Sequence, residues 1–565
     1  MERPGEVQVS NRDVARLLEF TGQLLEISGG DTFKVRAYAR AAQEIERLGA
    51  PVVEMPEEEL VAVRGVGHQI ARKVREIAET GTFRELDRLK ASIPDSLIEL
   101  LELDGVGPKT IHLLWKKLGI ESVADLERAA KNRRIRALRG FGEKKEENIL
   151  RAIVRFRKRS ERMTRREAEE IVRVVTAALS PGTFTVAGSY RRGRSTVGDI
   201  DIVTREPRRD VVARVSDLAD DVIDDGARKT SIRVRGRRVD IRYATPEIAG
   251  AMLLYLTGSK AFNIHLRSVA IAQGWTLNEY GLEERASGTL RPIGSEEAVF
   301  DALGMAYIPP ELREDTGEIE RAQADRLPVL VEPADVHGDL HTHTTWSDGR
   351  QSLAEIADRG DALGYEYILI TDHSSSLGVA RGLDSGRLDD QRREIERVNR
   401  EHTCRLLAGV EVDIMTDGSL GLPDRVLADL DLVIASVHSG FQQESDQITR
   451  RVLAAVENEH VDIIGHPTGR LLGRRPPYAI DLARVIERAA ETGTALEINA
   501  SPHRLDLDDI YIRHAKEMGV KLSIGTDSHR PAEFSNMRYG IMLARRGWCG
   551  PADLLNTSTL AELLP

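Results

Sequence analysis

Apolar positions recur at helical spacing through the first ninety residues of this 565-residue chain. Asn11 stands as a cap before Val14-Ala15-Arg16-Leu17-Leu18, and the spacing of Phe33–Ala42 and of Ile70, Val74 and Ile77 predicts further helices. Three short turns punctuate this region and its continuation: Arg64-Gly65-Val66-Gly67, Asp104-Gly105-Val106-Gly107 and Arg139-Gly140-Phe141-Gly142. Each runs into a polar helix start. From about residue 160 to 310 strands and helices alternate, and residues 311–335, with 8 acidic and 3 basic side chains and spaced prolines, read as an exposed linker. Seven short apolar runs follow, from Asp339–His343 to Lys521–Gly525, separated by helical segments. Such a βα repeat closes into a barrel whose active groups collect at the C-terminal ends of its strands.

Composition leaves this picture intact. With 41% hydrophobic and 30% charged residues the chain is ordinary globular material, long enough for several cores. No apolar run approaches the ~20 residues of a membrane span. The start, Met1-Glu2-Arg3-Pro4-Gly5-Glu6, has no signal-peptide character, and only Cys404 and Cys549 are present. A cytoplasmic protein without membrane contact or a disulfide framework is expected. Charge does change the picture. Residues 1–310 carry 52 basic against 47 acidic side chains and residues 311–565 carry 28 against 44, so a net +5 and a net −16 make up the total of −11. Basic density peaks between Lys131 and Arg166, with 15 Lys/Arg and 4 acidic residues. A charge run alone is as often a solvated face as a nucleic-acid surface.

The first candidate chemistry lies in Gly188-Ser189-Tyr190-Arg191-Arg192-Gly193, a polar turn, followed by Gly198-Asp199-Ile200-Asp201-Ile202-Val203. On a strand, Asp199 and Asp201 point the same way, and two aligned carboxylates call for a cation between them. The segment Arg238-Val239-Asp240-Ile241-Arg242 places a third carboxylate between apolar neighbours. Three carboxylates beside a phosphate-binding turn suit two-metal nucleotidyl transfer. These motifs resemble the nucleotidyltransferase palm of family X DNA polymerases. Tyr255-Leu256-Thr257-Gly258-Ser259-Lys260-Ala261-Phe262-Asn263 through Arg267, and Gly274-Trp275-Thr276-Leu277-Asn278, resemble that family's nucleotide-selecting segment. The three Gly turns then resemble helix-hairpin-helix elements, whose free N–H groups hold a DNA backbone without reading sequence.

A second constellation follows the linker: His341 and His343, Asp348, His373, Glu411, His438, His466, Asp527 and His529. A lone histidine is usually a satisfied core or surface residue, but six of the chain's 14 histidines gather here beside three carboxylates. The pattern resembles the polymerase and histidinol phosphatase (PHP) domain family, which the resemblance endows with a three-metal cluster at these nine positions. Mixed imidazole and carboxylate ligands suit Mn²⁺, Zn²⁺ or Fe²⁺.

The whole chain is therefore expected to be multidomain. The expected parts are an α-helical helix-hairpin-helix region (1–90 lyase-like, 91–160 duplex-binding), an α+β palm (161–255), a nucleotide-selecting subdomain (256–311), a linker (312–334) and a distorted (β/α)7 PHP barrel (335–565). What the resemblance implies is a bacterial or archaeal-type polymerase for gap-filling, base-excision-type repair. Asp199, Asp201 and Asp240 are expected to bind two Mg²⁺, and Ser189, Arg192 and Gly198 to hold the dNTP triphosphate. Tyr255, Gly258, Asn263 and Arg267 would shape the nascent pair, and Gly65, Gly67, Gly105, Gly107, Gly140 and Gly142 would grip gapped or primer-template DNA. Lys73 aligns with the family's Schiff-base lysine, although Gln69 replaces a basic residue of the well-known lyases. For the barrel three readings compete: a 3′→5′ exonuclease, extended to cutting at abasic sites, with about three Mn²⁺ or Zn²⁺; a small-molecule phosphatase; and a structural scaffold. A monomer is expected.

Overall fold

The computed structural model describes residues 11–564 except 49–51, 54, 81, 104, 139, 161 and 376–381. Asp104 and Arg139, which open two of the Gly turns, lie outside the described residues. The chain divides after residue 161 into two compact units.

The first unit is helical. Its three Gly turns share one geometry, set by what each position demands. The leading glycines Gly65, Gly105 and Gly140 have φ of 86°, 80° and 89°, a left-handed region that side chains disfavour. The middle residues Val66, Val106 and Phe141 are buried. Their N–H groups donate to the carbonyls of Val63, Leu103 and Leu138 at 3.0, 3.0 and 2.9 Å. Helices His68–Thr80, Pro108–Leu118 and Glu143–Ser160 follow. A side chain added at Gly67, Gly105, Gly107, Gly140 or Gly142 would meet nothing within 4 Å, so these turns face open space; one at Gly65 would strike Arg40. Asn11 ties its helix to a loop, its amide donating to the Leu48 carbonyl (3.1 Å) and accepting from the Val52 N–H (2.7 Å).

The second unit opens with a five-stranded sheet ordered Phe184–Val186, Ile200–Thr204, Arg237–Tyr243, Lys229–Val234 and Asp221–Asp225. Strands Ile200–Thr204 and Arg237–Tyr243 run parallel and pair Asp201 with Asp240. The helix Arg165–Thr176 packs behind them, started by a capping box of Thr164 and Glu167. Helices Ala249–Thr257 and Lys260–Ala272 lead to a small antiparallel sheet, Trp275–Asn278, Gly281–Glu284 and Leu290–Pro292.

The stretch expected to be an exposed linker is built into the core. Leu312, Ile319, Ala322 and Val331 are buried, as are Arg313 and Glu318. Its polar composition misled because the charges are paired. Arg313 donates to Glu296 (2.5 Å) and to the Ile308 carbonyl (2.8 Å), while Glu318 accepts the N–H groups of Asp315 and Thr316 at 2.7 Å.

Beyond it seven parallel strands lie in sequence order, Gly338–Thr342, Tyr367–Ile370, Arg405–Asp413, Leu432–Ser436, Ile463–Ile464, Ala495–Asn499 and Leu522–Gly525. A bridge between Thr342 and Ser528 joins the first to the last. Asp339 reinforces that seam by accepting the Thr526 hydroxyl (2.5 Å) and N–H (3.1 Å). Among the described residues no helix is long and apolar enough to cross a membrane.

Candidate metal centres

All nine sequence-predicted ligands converge at the mouth of the barrel. Glu411 lies inside its strand, one turn of pleat deeper than the strand-end position expected, and sits at the centre of the cluster. Its Oε2 is 2.9 Å from His373 Nδ1, 3.6 Å from His341 Nε2 and 3.7 Å from His343 Nε2. Its Oε1 is 3.2 Å from His438 Nε2 and 3.0 Å from His466 Nε2. Asp527 Oδ1 lies 3.3 Å from His343 Nε2, and Asp348 Oδ1 lies 3.3 Å from His529 Nε2. The donor atoms fall into three overlapping sets: His343, Asp348, His373 and His529; His341, His343 and Asp527; and His373, Glu411 and His438. His466 joins through Glu411.

These residues fit divalent ions on their own geometry. The Nε2 atoms of His341 and His343 face each other at 3.1 Å, and the buried His343 Nδ1 and His466 Nδ1 have no hydrogen-bond partner. Such nitrogens need a cation or shared protons. Electrostatics agree. Burial and then the His529 and His373 rings push His343 down to about 3. Against burial, the His529 hydrogen bond and the His373 charge hold Asp348 at about 2.

Residues that sequence reasoning missed aim these ligands. Glu497 takes His341 Nδ1 at 2.6 Å and the His466 N–H at 2.5 Å, and Asp413 takes His438 Nδ1 at 2.7 Å. Each turns the ring's Nε2 to the centre. The signal was available: Glu497 among the apolar residues of Ala495–Asn499, and Asp413 two positions after Glu411 on the same strand face. His466 and Asp527 are held at φ of 26° and 53°, a strained setting for non-glycine ligands.

The carboxylates of the sheet are arranged differently. The strand begins at Ile200, so Asp199 lies exposed in the bend before it rather than on the strand beside Asp201. Asp201 and Asp240 are cross-strand neighbours. Burial, then repulsion from Asp199 and Asp240, pushes Asp201 up to about 7, the sign of a crowded carboxylate that a cation would relieve. Asp240 is already neutralised: Arg238 reaches both its oxygens at 2.9 Å, and Lys229 stands at 3.9 Å. Among the described residues no three-donor set closes here. By charge the Asp201 and Asp240 pair suits a cation, and Arg238 now supplies one at Asp240.

The turn beside them is a short helix, Gly188–Arg191. Gly188, at φ 66°, is required because a Cβ would strike the Asp201 carboxylate. Arg192 is engaged, donating to Glu314 (3.0 Å) and the Thr257 carbonyl (2.8 Å). Gly198 is open toward Arg162, whose guanidinium would lie 3.4 Å from an added Cβ. Burial, then the positive charge of Arg194, lowers Arg162 against the opposing pull of Asp199; this third arginine of the cluster was missed. From the barrel side, Arg546 donates to the Arg192 carbonyl (2.6 Å) and Glu314 (3.1 Å) and pairs with Asp509. Tyr255, Gly258, Asn263 and Arg267 form one cluster. The Asn263 amide donates to the Tyr255 (2.7 Å) and Gly258 (3.2 Å) carbonyls, and Arg267 Nε donates to the Asn263 carbonyl (3.0 Å).

In the helical unit Lys73 lies 3.0 Å from Glu85 and over the Tyr38 ring, whose hydroxyl also donates to Glu85 (2.8 Å). Gln69, Arg72, Arg84 and Arg88 line the same cavity of about 370 Å³.

Family models match along the chain: a helix-hairpin-helix domain over 9–83, a SAM-like helix-hairpin-helix tandem over 97–155, the DNA polymerase beta palm over 162–244, the DNA polymerase beta thumb over 252–314 and the PHP domain over 339–501. The class is thus a polymerase palm joined to a PHP barrel. The DNA polymerase/3′-5′ exonuclease PolX of Bacillus subtilis (strain 168) is 39% identical over 563 residues, 98% of either chain. DNA polymerase lambda of Rattus norvegicus is 30% identical over 54% of this chain and 56% of its own length. A probable phosphatase of Thermoanaerobacter sp. (strain X514) is 37% identical over 39% of this chain and 89% of its own. The chain belongs to the PolX family of bacterial family X DNA polymerases with a C-terminal PHP domain.

Proposed function

We propose that this chain fills short gaps in damaged DNA and trims the same 3′ ends, the first at the sheet carboxylates and the second at the barrel cluster. One observation carries the reading: a single chain holds a carboxylate pair in register beside an arginine-rich turn, and separately a buried carboxylate ringed by five imidazoles. At the first centre Asp199, Asp201 and Asp240 would hold two Mg²⁺, with Asp240 placed to take the primer 3′-hydroxyl proton once Arg238 releases it. Ser189, Arg162, Arg192 and Gly198 would face the triphosphate, and the Tyr255–Arg267 cluster the nascent pair. At the second, the nine ligands would hold about three Mn²⁺ or Zn²⁺. Bound divalent ions polarise a phosphodiester and acidify a water. The chain's own contribution is orientation, through Glu497 and Asp413, and exclusion of bulk water by burial.

The Gly turns, five of six glycines open, suit a duplex backbone held without sequence preference. A monomer in the cytoplasm suffices for this reading. The test is a labelled primer on gapped DNA with Mn²⁺. Extension with dNTPs and shortening without them are expected, and His341→Ala should remove only the shortening. If the variant shortens the primer as the wild type does, the nuclease assignment fails. A phosphatase reading of the barrel draws on the phosphatase-like relative, and predicts phosphate release from small monoesters with the primer left intact. The arginines around Lys73 suit a 5′-phosphate, which supports removal of 5′-deoxyribose phosphate; borohydride trapping on Lys73, absent in Lys73→Ala, tests it.

A further inference from the structure

A cavity of about 1130 Å³ opens between the barrel mouth and the helix Arg165–Thr176 of the polymerase sheet. Asp348, Asp527 and His529, three of the ligands, form part of its floor. Its size lies just above the ~300–1,000 Å³ of pockets for single small ligands. Its walls are rich in arginine: Arg350, Arg474 and Arg530 from the barrel, and Arg166 and Arg173 from the helix opposite. All five are exposed, and the three from the barrel stand out in a half of the chain that carries a net −16. Arg173, Arg350, Arg474 and Arg530 have no carboxylate partner among the described residues. The carboxylates that do line the cavity are occupied. Glu169 accepts from Arg538 (2.8 Å) and Tyr539 (2.5 Å), Glu170 pairs with Arg166 (3.9 Å) and Arg235 (3.3 Å), and Glu533 accepts the His529 N–H (2.9 Å). Deeper in, Arg504 stands 3.3 Å from Asp527 with a buried Nη1 that has no partner. The Glu169 bridge also fixes the helix against the barrel, so the two walls form one built cleft.

We propose that this cleft is the nuclease's strand-binding site, that it takes a short single-stranded 3′ end, and that Arg166 and Arg173 of the polymerase half grip its phosphates opposite the barrel's arginines. This rests on the nuclease reading above. The chemistry is that of a polyanion: guanidinium groups on two facing walls, four of the five without a carboxylate partner among the described residues, match successive backbone phosphates. A strand held between the two walls is a single one, so a paired end would have to fray to enter. The polymerase half thereby sets what the nuclease degrades.

The test is the full chain with Arg166→Glu/Arg173→Glu, two exposed positions outside both metal centres. KM for a labelled single-stranded 3′ end should rise about tenfold with kcat within about twofold, and the slope of log KM against log salt should shrink by about 1.4, two contacts at ~0.7 each. Hydrolysis of bis(p-nitrophenyl) phosphate and dNTP incorporation should be unchanged, and Arg166→Lys/Arg173→Lys should restore most of the binding. If the wild type degrades the strand and the charge-swapped chain does so with the same KM and salt slope, the cleft assignment is overturned while the nuclease reading stands. If the wild type degrades no strand at all, both fall together.

Discussion

The two centres of the second unit differ in how much of their geometry is fixed before anything binds. In the barrel, Glu411 and four of the five imidazoles around it are buried, the His341 and His438 rings are turned by Glu497 and Asp413, and two ligands sit in strained backbone. On the sheet, Asp199 is exposed, Asp201 is crowded and Asp240 is held by Arg238. A barrel gives ligands from several strands one enclosed destination, whereas two strands of an open sheet give a shallow one. On the proposed reading the barrel centre keeps its ions. The sheet centre on the same reading assembles with its substrate, since displacing Arg238 from Asp240 would take cations that an incoming triphosphate can help bring.

The largest effects should separate the centres outright. Asp201→Asn should lower primer extension by at least about a thousandfold with strand degradation within twofold, and His341→Ala should do the reverse, both read in one gel assay. Any substitution that removes both activities in a folded chain would break the division. Next, Asp413→Asn and Glu497→Gln should weaken metal retention in the barrel about 10–100-fold, measured by dialysis against a chelator, without touching extension. Arg162→Ala should raise KM for dNTP about tenfold, the loss of one charge-assisted contact to phosphate, with kcat less affected. The smallest expected effect crosses between the halves. Arg546→Lys keeps the charge but loses the fork that spans Arg192, Glu314 and Asp509. It should raise KM for dNTP only a few fold and leave degradation alone; Arg546→Ala, which removes a buried partner of Glu314 and Asp509, should also lower the melting temperature.

Much of this was legible in the sequence, for physical reasons. The Gly turns, the seven short strands and the nine residues that meet at the barrel mouth announce themselves, because the backbone restricts residue type in the turns and histidines and carboxylates recur beside the strand ends. What was not legible depends on tertiary partners. The 311–335 stretch looks solvent-facing until Arg313 and Glu318 find buried partners. Asp199 leaves the strand although the alternating pattern places it there. Arg546 meets the Arg192 carbonyl across 354 positions of sequence, and no local pattern marks such a contact. Arg238 reads as an ordinary strand residue, yet it decides whether Asp240 is free.

The contrast between a retained and an assembled centre can be weighed directly by metal analysis of the purified chain after gel filtration in metal-free buffer. Wild type and Asp201→Asn should keep the same amount, more than one ion per chain, and His341→Ala should lose most of it. Bare wild type, or metal lost from Asp201→Asn but kept by His341→Ala, would contradict the account.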